Sequence, residues 1–550
     1  MFRNIFCVLS ICLFWTSSLC PAVDVKTLPE EEKNFLNSVD PWGLAFSDQI
    51  TRFQTYFPHE RQTDFVLGIH HNLEKIFRNK YWFRGNIIAS GNENTIRPVW
   101  TVTGATASFQ VAVLPRTGAG NDRYSIQVSA PVKSEVYHEE YVKLGSCNYP
   151  RFASEFWPDP LVPENSAEIS GTDLAVFLIE LKIPEDFNKT EFVCGVTVTN
   201  SKGQKVSVAM PLEVARLKIE PNRYPLVAWF NQGKLSDLQF RDMCLLALEH
   251  HLQPLTGGYF QKLWNSGNPE NLDGFFQFLL DNGQKVFEIP EPDENLYRHL
   301  KEKNWLSRCM IYSNADEPSE EIFAEKCIPY AQQTREKYPD LRIFLASEYH
   351  PQMEKGCDIW LTDLSSFLYD PAKFKIPAKP ELWHYYCHLP IRYQMRAPLT
   401  LAPNMLIDNA ALEHRLALWM SWYYKAKGVL IWSGNSDWNV IPENFWQTVE
   451  IENKESSYPY AGVHHGNGFL VYPPREKDGK ALPSLRLKIL RDGMEDIAIM
   501  EASKRKYGSR ASTELTSPVP YVFSHAHYYD RLPEALLEKR ESILKSLRGR

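Results

Sequence analysis

The sequence has no excess of positive charge, and this absence limits the partners it can have. It contains 60 Lys and Arg residues against 67 Asp and Glu residues, which gives a formal net charge of −7 at pH 7. A protein that binds nucleic acid usually presents a basic surface to the phosphates. We therefore expect no nucleic-acid partner for this chain.

Cysteine is sparse as well. The 550 residues include ten cysteines, and no two of them form a Cys-x-x-Cys pair. A disulfide-stapled fold or a zinc site would place cysteines at short, regular spacings. The cysteines beyond the N-terminal segment are Cys147, Cys194, Cys244, Cys309, Cys327, Cys357 and Cys387. We expect buried thiols, with one disulfide at most.

Three pairs of adjacent histidines are the remaining metal-type motifs: His70-His71, His250-His251 and His464-His465. A metal site needs ligands that converge from spaced positions. The sequence indicates no Asp or Glu that would complete a ligand set with any of these pairs. We therefore predict no metal and no cofactor.

Long apolar runs are missing after the first 22 residues. At the N-terminus, Arg3 precedes an apolar run over 5–15, and small residues follow up to Ala22. This order is typical of a secretory signal peptide, and the run is too short to span a bilayer. We expect residues 1–22 to be removed and the mature protein to be secreted, periplasmic or at the cell surface, without membrane insertion.

Residues 60–218 show β-type alternation and no long helical period. The runs cover 99–103, 107–114, 124–129, 134–144, 175–183, 192–200 and 206–214, and a turn that contains Gly203 joins the last two. Many short strands joined by polar turns are typical of a β-sandwich. We predict a β-sandwich domain over 23–218.

Strands alternate with helices in the next part of the chain. Predicted strands cover 224–230, 253–256, 285–290, 306–312, 341–347, 358–362, 381–387 and 429–432. Eight such units predict a (β/α)8 barrel. We assign this barrel to 219–507 and a helical tail to 508–550.

The residues at the C-terminal ends of the barrel strands form the candidate site, because barrels of this type place their catalytic groups there. These side chains are aromatic rings, amides and carboxylates, which can stack on sugar rings, bind hydroxyl groups and cleave a bond. The candidates for sugar binding are Trp229, Asn231, Tyr349, Trp383, Tyr385, Trp432 and Trp438. We therefore expect a glycan or glycoconjugate substrate.

Two acids, Asp316 and Glu317, stand side by side where the fourth barrel strand meets its helix. A structural interpretation is that the helix dipole stabilises acids at a helix N-terminus. The alternative is catalytic. Glycosidases whose two acids flank the bond usually take them from separate strands, about 5–9.5 Å apart. Consecutive acids instead fit substrate-assisted hydrolysis, in which the 2-acetamido oxygen of the sugar attacks, one acid protonates the leaving oxygen and its neighbour orients the acetamido N–H.

The segment Tyr312-Ser-Asn-Ala-Asp-Glu-Pro318 resembles the Asp-Glu motif of glycoside hydrolase family 123, the exo-β-N-acetylgalactosaminidases. The C-terminal half is also similar to a wider domain of unknown function related to that family, in Trp383-His-Tyr-Tyr-Cys387 and Gly428-Val-Leu-Ile-Trp432 among others. The resemblance implies that Glu317 is the general acid/base and that Asp316 assists the acetamido group. It further implies that Tyr385 is a hydrogen-bond donor near that group and that Trp432 is the stacking platform.

The leading hypothesis is a secreted glycosidase that removes terminal β-linked N-acetylgalactosamine, or another N-acetylhexosamine, with retention. Two alternatives stay open: a glycosidase on sugars without an acetamido group, and a carbohydrate-binding protein of the same fold that has no activity. The charged residues of 491–496 are interpreted as structural ion pairs, and Glu413 and Arg415, on the helix behind the seventh loop, as residues that brace the site. The sequence leaves the oligomeric state open.

Overall fold

The computed structural model describes residues 63–78, 86–88, 96–115, 120–144, 156–170, 173–364, 379–387, 403–436, 438, 445–448, 450–451, 466–508, 516–517, 522–525 and 528–548. The predicted signal segment, Cys147 and the pair His464-His465 lie outside these residues. Within them, no helix combines the length and the apolar character that crossing a membrane requires.

Two mainly antiparallel sheets form the N-terminal part. The first sheet contains, in spatial order, Asn86–Ile88, Phe65–His71, Thr106–Pro115, Ala175–Lys182, Lys133–Leu144 and Glu450–Ile451, and Phe156–Val162 also pairs with Lys133–Leu144. The second sheet contains Val99–Val102, Lys205–Ala215, Glu191–Asn200, Asp122–Ser129 and Ser166–Ile169. The seven strands that the sequence predicted in this part are all present.

The two sheets share one hydrophobic core. Phe109 and Phe177 of the first sheet belong to the same buried cluster as Val198 and Leu212 of the second. Side chains alternate between this core and solvent along Lys205–Ala215, as expected for a sheet with one buried face. The arrangement of a sandwich domain with the predicted boundaries stays a prediction.

Eight parallel strands follow, and they form a nearly closed barrel. They are Leu226–Trp229, Gln253–Leu255, Phe287–Glu288, Cys309–Tyr312, Arg342–Ala346, Ile359–Asp363, Glu381–Tyr386 and Val429–Ser433, here called barrel strands 1 to 8. Strands that are neighbours in chain order pair with each other, except strands 2 and 3, and strand 8 pairs with strand 1. The eight predicted strands are therefore confirmed, as is a barrel-like parallel sheet.

The junction between barrel strands 2 and 3 is made by side chains instead of a backbone ladder. The Oε1 atom of Gln253 accepts the N–H groups of Lys285 at 2.7 Å and Val286 at 3.1 Å. The Nε2 atom of Gln284 donates to the carbonyl of Pro254 at 2.9 Å. Pro254 has no N–H to offer a neighbouring strand, so the two side-chain amides supply the bonds that hold the barrel together at this point.

Helices cover the outside of the barrel and continue beyond it. They are Asp237–Glu249, Gly257–Trp264, Pro269–Asp281, Glu294–Glu302, Glu320–Ile322, Ile328–Lys337, Met353–Gly356, Ala411–Tyr423, Phe445–Thr448, Leu485–Tyr507 and Pro533–Arg548. A π-helical turn, Phe323–Cys327, joins the fifth and sixth of these. The helix Gly257–Trp264 was not predicted, because its first two residues are glycines and glycine disfavours helix.

The helix Leu485–Tyr507, here called the late helix, is buried between the first sheet, the helix Ala411–Tyr423 and the C-terminal helix Pro533–Arg548. Charged residues on it form ion pairs with all three. Arg486 binds Asp159 at 2.9 Å, Lys488 binds Glu180 at 2.8 Å, and Arg415 and Arg540 bind Asp496 at 2.6 Å each. The predicted structural role of the charges in 491–496 and of Arg415 is thus confirmed.

Cysteines in the described part of the chain behave as the sequence predicted. Cys194, Cys244, Cys309, Cys327 and Cys357 are buried thiols without a disulfide. Burial raises the pKa of the Cys194 thiol to about 11. These thiols therefore stay protonated and act as apolar core residues.

Candidate active site

The turn after barrel strand 4 carries the two adjacent acids, and it is tied to barrel strand 5. Ser313 donates its N–H to the carbonyl of Phe344 at 2.9 Å, and Glu317 donates its N–H to the carbonyl of Ala346 at 3.1 Å. Glu317 has a φ of 41°, in the left-handed region that residues other than glycine rarely adopt. Strained backbone of this kind concentrates at functional sites. Both acid side chains are exposed at the barrel mouth.

Asp316 is held by a tyrosine from the preceding strand. The hydroxyl of Tyr312 donates a hydrogen bond to Oδ1 of Asp316 and accepts the N–H of Ala346 at 3.4 Å. Burial, and then the neighbouring Asp316 carboxylate, raise the pKa of Tyr312. The hydroxyl therefore remains a donor at neutral pH and fixes the direction of the Asp316 carboxylate.

Glu317 lies in an environment that favours its protonated form. Desolvation by the surrounding walls raises its pKa, and the negative charges of Asp316, Asp363 and Glu348 raise it further. A carboxylic acid that keeps its proton towards neutral pH can give it to a leaving oxygen. The pair therefore has two different capabilities, a proton donor at Glu317 and an oriented hydrogen-bond acceptor at Asp316.

Aromatic rings stand next to this pair. The indole of Trp229 makes edge contacts with Tyr312, at a centroid distance of 5.7 Å, and with Trp432, at 6.0 Å. It also lies against Phe344 at 6.3 Å with nearly parallel planes. Trp229 and Trp432 are partly exposed. Barrel strands 1, 4, 5 and 8 thus contribute rings to one connected aromatic wall.

Tyr385, on barrel strand 7, packs against the same buried cluster as Trp229 and Tyr312. Burial raises the pKa of Tyr385, with further contributions from Cys387, Tyr312 and the two acids. Its register partner on barrel strand 6 is Asp363, the same residue whose charge acts on Glu317. The structure therefore brings Tyr385 into the field of both acids, with its hydroxyl protonated and able to donate.

Two predicted residues, Asn231 and Tyr349, are exposed in the loops that follow barrel strands 1 and 5. Asn231 is exposed; its N–H donates to Oδ1 of Asn435 at 2.9 Å and its Nδ2 to Ser436 at 2.8 Å. These bonds join the loops that follow barrel strands 1 and 8. Tyr349 is 52% exposed and makes an edge contact with Trp360 at 5.5 Å.

Trp383 and Trp438 are placed deeper than the rim. Trp383 is 1% exposed, and its indole N–H donates to Glu381 at the start of barrel strand 7. It packs inside the barrel against Gly428, where a Cβ would come within 2.6 Å of the indole ring. Trp438 donates its indole N–H to the carbonyl of Val471 at 2.8 Å and packs against the main core. Trp383 is therefore a packing residue of the barrel interior, and Trp438 a partly buried residue that is bonded to Val471.

Three site residues were missed by sequence reasoning: Tyr312, Glu288 and Asp363. Each stands at the C-terminal end of a barrel strand. The predicted strand over 306–312 already ended at Tyr312, the one over 358–362 ended one residue before Asp363, and the one over 285–290 ran two residues past Glu288. The rule for strand ends could therefore have selected Tyr312 and Asp363, and Glu288 with a more accurate boundary. Glu288, at the end of barrel strand 3, accepts the indole N–H of Trp229 at 2.9 Å.

Histidines of the predicted pairs do have acidic neighbours, which corrects the expectation that none would: Nδ1 of His70 lies 2.8 Å from Glu74, and Nε2 of His251 lies 3.9 Å from Glu495. Ligand-type atoms of His71, Glu74 and Glu534 lie within 4.8 Å of one another, beside a cavity of about 310 Å³ away from the barrel mouth. Nδ1 of His71 accepts the N–H of Leu73 at 3.2 Å, so the ring proton of the neutral form is on Nε2, which faces Glu74 at 3.7 Å. Since a metal would need the lone pair of Nε2, we interpret the group as a hydrogen-bond cluster.

Comparison with known proteins agrees with this geometry. Residues 294–503 match the model of the glycoside hydrolase 123 catalytic domain. Among solved structures, the chain is similar to a family 123 glycoside hydrolase from Clostridium perfringens described for glycolipid glycan hydrolysis, with 14% identity and a TM-score of 0.60 over 88% of this chain and 97% of that chain. This likeness shows a shared fold.

A second solved structure is a family 39 glycoside hydrolase from the gut symbiont Bacteroides cellulosilyticus WH2. It has 10% identity over 73% of this chain and 82% of that chain, and its TM-score of 0.29 is too low to indicate a shared fold. No match was found among curated protein sequences. The domain match indicates a glycosidase and includes barrel strands 4 to 8 with both adjacent acids. This chain is therefore similar to glycoside hydrolase family 123 over residues 294–503.

Proposed function

We propose that this protein removes terminal β-linked N-acetylgalactosamine, or another N-acetylhexosamine, from glycans by substrate-assisted hydrolysis with net retention. The observation that carries the proposal is the arrangement of Asp316 and Glu317. They are adjacent and exposed on one side of the barrel mouth, so they reach the same side of a bound sugar. Two acids placed in this way do not flank a glycosidic bond from opposite faces, as a protein nucleophile and its partner acid would.

In the proposed mechanism the acetamido oxygen of the substrate attacks the anomeric carbon. Glu317 gives its proton to the leaving oxygen and then, as a carboxylate, takes a proton from the water that opens the cyclic intermediate. Asp316, oriented by Tyr312, accepts the acetamido N–H and stabilises the positive charge that develops there. Tyr385 donates a hydrogen bond near the acetamido group, and Trp432 and Trp229 form the wall against the sugar ring.

The substrate class is extended from the family match and from the glycolipid glycans of the Clostridium perfringens protein. We further propose that the protein is exported by residues 1–22 and acts on glycans outside the cytoplasm. Neither proposal requires a metal or a cofactor, because every proton transfer in the mechanism has a side chain or water to perform it.

The test is a panel of aryl glycosides offered to purified protein that begins at residue 23. We expect release of the aryl group from β-N-acetylgalactosaminide and none from the matching β-galactoside, which lacks the acetamido group. A thiazoline analogue of the cyclic intermediate should inhibit at concentrations well below KM. Equal cleavage of both glycosides would favour a glycosidase without acetamido participation. Binding of N-acetylgalactosamine without any cleavage would favour the inactive carbohydrate-binding alternative.

A further inference from the structure

Glu288, at the end of barrel strand 3, is a carboxyl group to which the mechanism above gives no role. Phe287, the other residue of barrel strand 3, stacks on Phe276 outside the barrel at a centroid distance of 4.0 Å. Because successive side chains of a strand point to opposite faces, Glu288 points to the inside. There its Oε2 accepts the indole N–H of Trp229 at 2.9 Å.

A second donor approaches Glu288 from the helix Gly257–Trp264. The N–H of Gly257, the first residue of that helix, also donates to the carboxylate. A Cβ on residue 257 would lie 3.2 Å from the Cγ, Cδ and Oε2 atoms of Glu288. The glycine therefore allows the helix to come close enough to fix the carboxylate between its N-terminus and the indole.

We propose that Glu288 is a positioning residue of the mouth, which holds the indole of Trp229 so that the ring forms a fixed wall against the sugar. This inference rests on the proposed function for its effect on catalysis. Glu288 acts through Trp229, because the charges that act on Glu317 come from three other residues: Asp316 and Glu348, which follow barrel strands 4 and 5, and Asp363, which ends barrel strand 6. Trp229 in turn contacts Tyr312, which orients Asp316.

The protonation state of Glu288 changes near neutral pH. Burial raises its pKa, the hydrogen bonds from Trp229 and Gly257 lower it, and the result is a pKa of about 7. Above this pH the carboxylate accepts both hydrogen bonds with full charge, and below it the bond to the indole weakens. The orientation of Trp229 is therefore coupled to the titration of a residue that the substrate-assisted mechanism does not use.

The direct test is the indole N–H signal of Trp229 in protein labelled with ¹⁵N at tryptophan, followed by NMR between pH 5.5 and 8.5. Trp229→Phe assigns the signal among the 15 tryptophans by its disappearance. We expect the signal to titrate with a midpoint near pH 7 in the natural protein and to lose this transition in Glu288→Gln. Glu291→Gln, at an exposed position three residues further on, is the control and should leave the transition in place.

Steady-state kinetics then test whether the position of Trp229 affects sugar binding. Glu288→Ala should raise KM about tenfold with a smaller change in kcat, since the wall contributes to binding throughout the reaction. Glu288→Gln, whose amide oxygen can still accept the indole N–H, should have a KM much closer to that of the natural protein. The double variant Trp229→Phe with Glu288→Ala should be no worse than Trp229→Phe alone, because both changes remove the same bond.

Two results would overturn the inference: a Trp229 signal that does not titrate or that still titrates in Glu288→Gln, and losses that add in the double variant. If the natural protein cleaves no acetamido glycoside, the proposed function fails. The NMR titration still decides the link between Glu288 and Trp229 in that case, because it needs no substrate.

Discussion

The barrel mouth and the ion pairs around the late helix both depend on glutamate carboxyl groups, but the two regions use these groups for opposite purposes. Glu317 at the mouth has carboxylates as its charged neighbours, and its pKa is raised. Glu180 is buried, which alone would raise its pKa, but Arg491 and Lys488 hold it at about 2. The comparison shows that the neighbours of a carboxyl group, more than its sequence context, decide whether it donates protons or only supports the fold.

The largest expected effect is a loss of activity from substitutions at the barrel mouth. Glu317→Gln and Asp316→Asn should each lower kcat/KM by about 10²- to 10⁴-fold, because general acid catalysis and acetamido stabilisation are lost. Melting temperatures should stay close to that of the natural protein, since both side chains are exposed and the replacements keep their shape. Glu321→Gln, exposed on the adjacent helix, is the matched control; undiminished turnover in Glu317→Gln would refute the assignment.

The next effect is on stability, at the ion pairs. Glu180→Gln should cost about 3–5 kcal/mol of unfolding free energy at pH 7, because it leaves Arg491 and Lys488 buried without their partner. The folded pKa lies below the ordinary value of 4.5, so the contribution of Glu180 is present above about pH 4.5 and is lost as pH falls towards 2. The gap between the two proteins should therefore shrink in acid.

Urea unfolding at several pH values measures this gap. Glu294→Gln is the control, because it breaks an exposed pair with Arg298 and should cost about 0–1 kcal/mol. Equal losses in Glu180→Gln and Glu294→Gln would show that the buried pairs add no stability of their own.

Glu139 is a buried carboxyl group of the first sheet, like Glu180, and it lies near Asp159. In the described part of the chain neither of its oxygens has a hydrogen bond, so it shows the effect of burial without bonded cations. Burial and the charge of Asp159 raise its pKa to about 8, and Lys75 opposes them. A raised folded pKa means that its stabilising contribution is full below about pH 4.5 and is lost as pH rises through 8. Glu139→Gln cannot ionise and should be roughly 1–3 kcal/mol more stable than the natural protein at pH 8.5.

Thermal unfolding of both proteins from pH 4 to 9 follows this difference. A gap that stays constant over the whole range would contradict the raised pKa of Glu139, and a natural protein that gains stability with pH would reverse the sign.

The smallest effect concerns the charges around Glu317. Asp363→Asn removes one of the charges that raise the pKa of Glu317, so that pKa should fall and the alkaline limb of kcat/KM should move to lower pH. The value of kcat/KM on the pH-independent plateau should change by less than about tenfold. Glu348→Gln removes a second such charge and should move the limb in the same direction. A limb that stays in place in both variants would mean that another group sets the alkaline limit.

Much of the site could be predicted because barrel strands have a recognisable length and composition. All eight strand positions, the adjacent acids and the rings of Trp229 and Trp432 follow from the pattern of the chain and the rule for strand ends. The strand Phe156–Val162 was missed, because its two prolines disfavour a strand in sequence-based reasoning, although it pairs antiparallel with Lys133–Leu144. Trp383 was placed at the rim because the sequence shows which strand carries a ring but not how deep it lies.

The sequence by itself determined the order of strands and helices, the buried thiols and the position of two consecutive acids after barrel strand 4. Local periodicity and turn chemistry encode these features within short segments. Only the tertiary structure decided which polar groups meet: Glu180 with Arg491 and Asp159 with Arg486 as ion pairs, and Glu288 with Trp229 as a hydrogen bond. The reason is that such contacts join residues far apart in the chain, and the pKa of a carboxyl group depends on burial and on charges within a few ångströms.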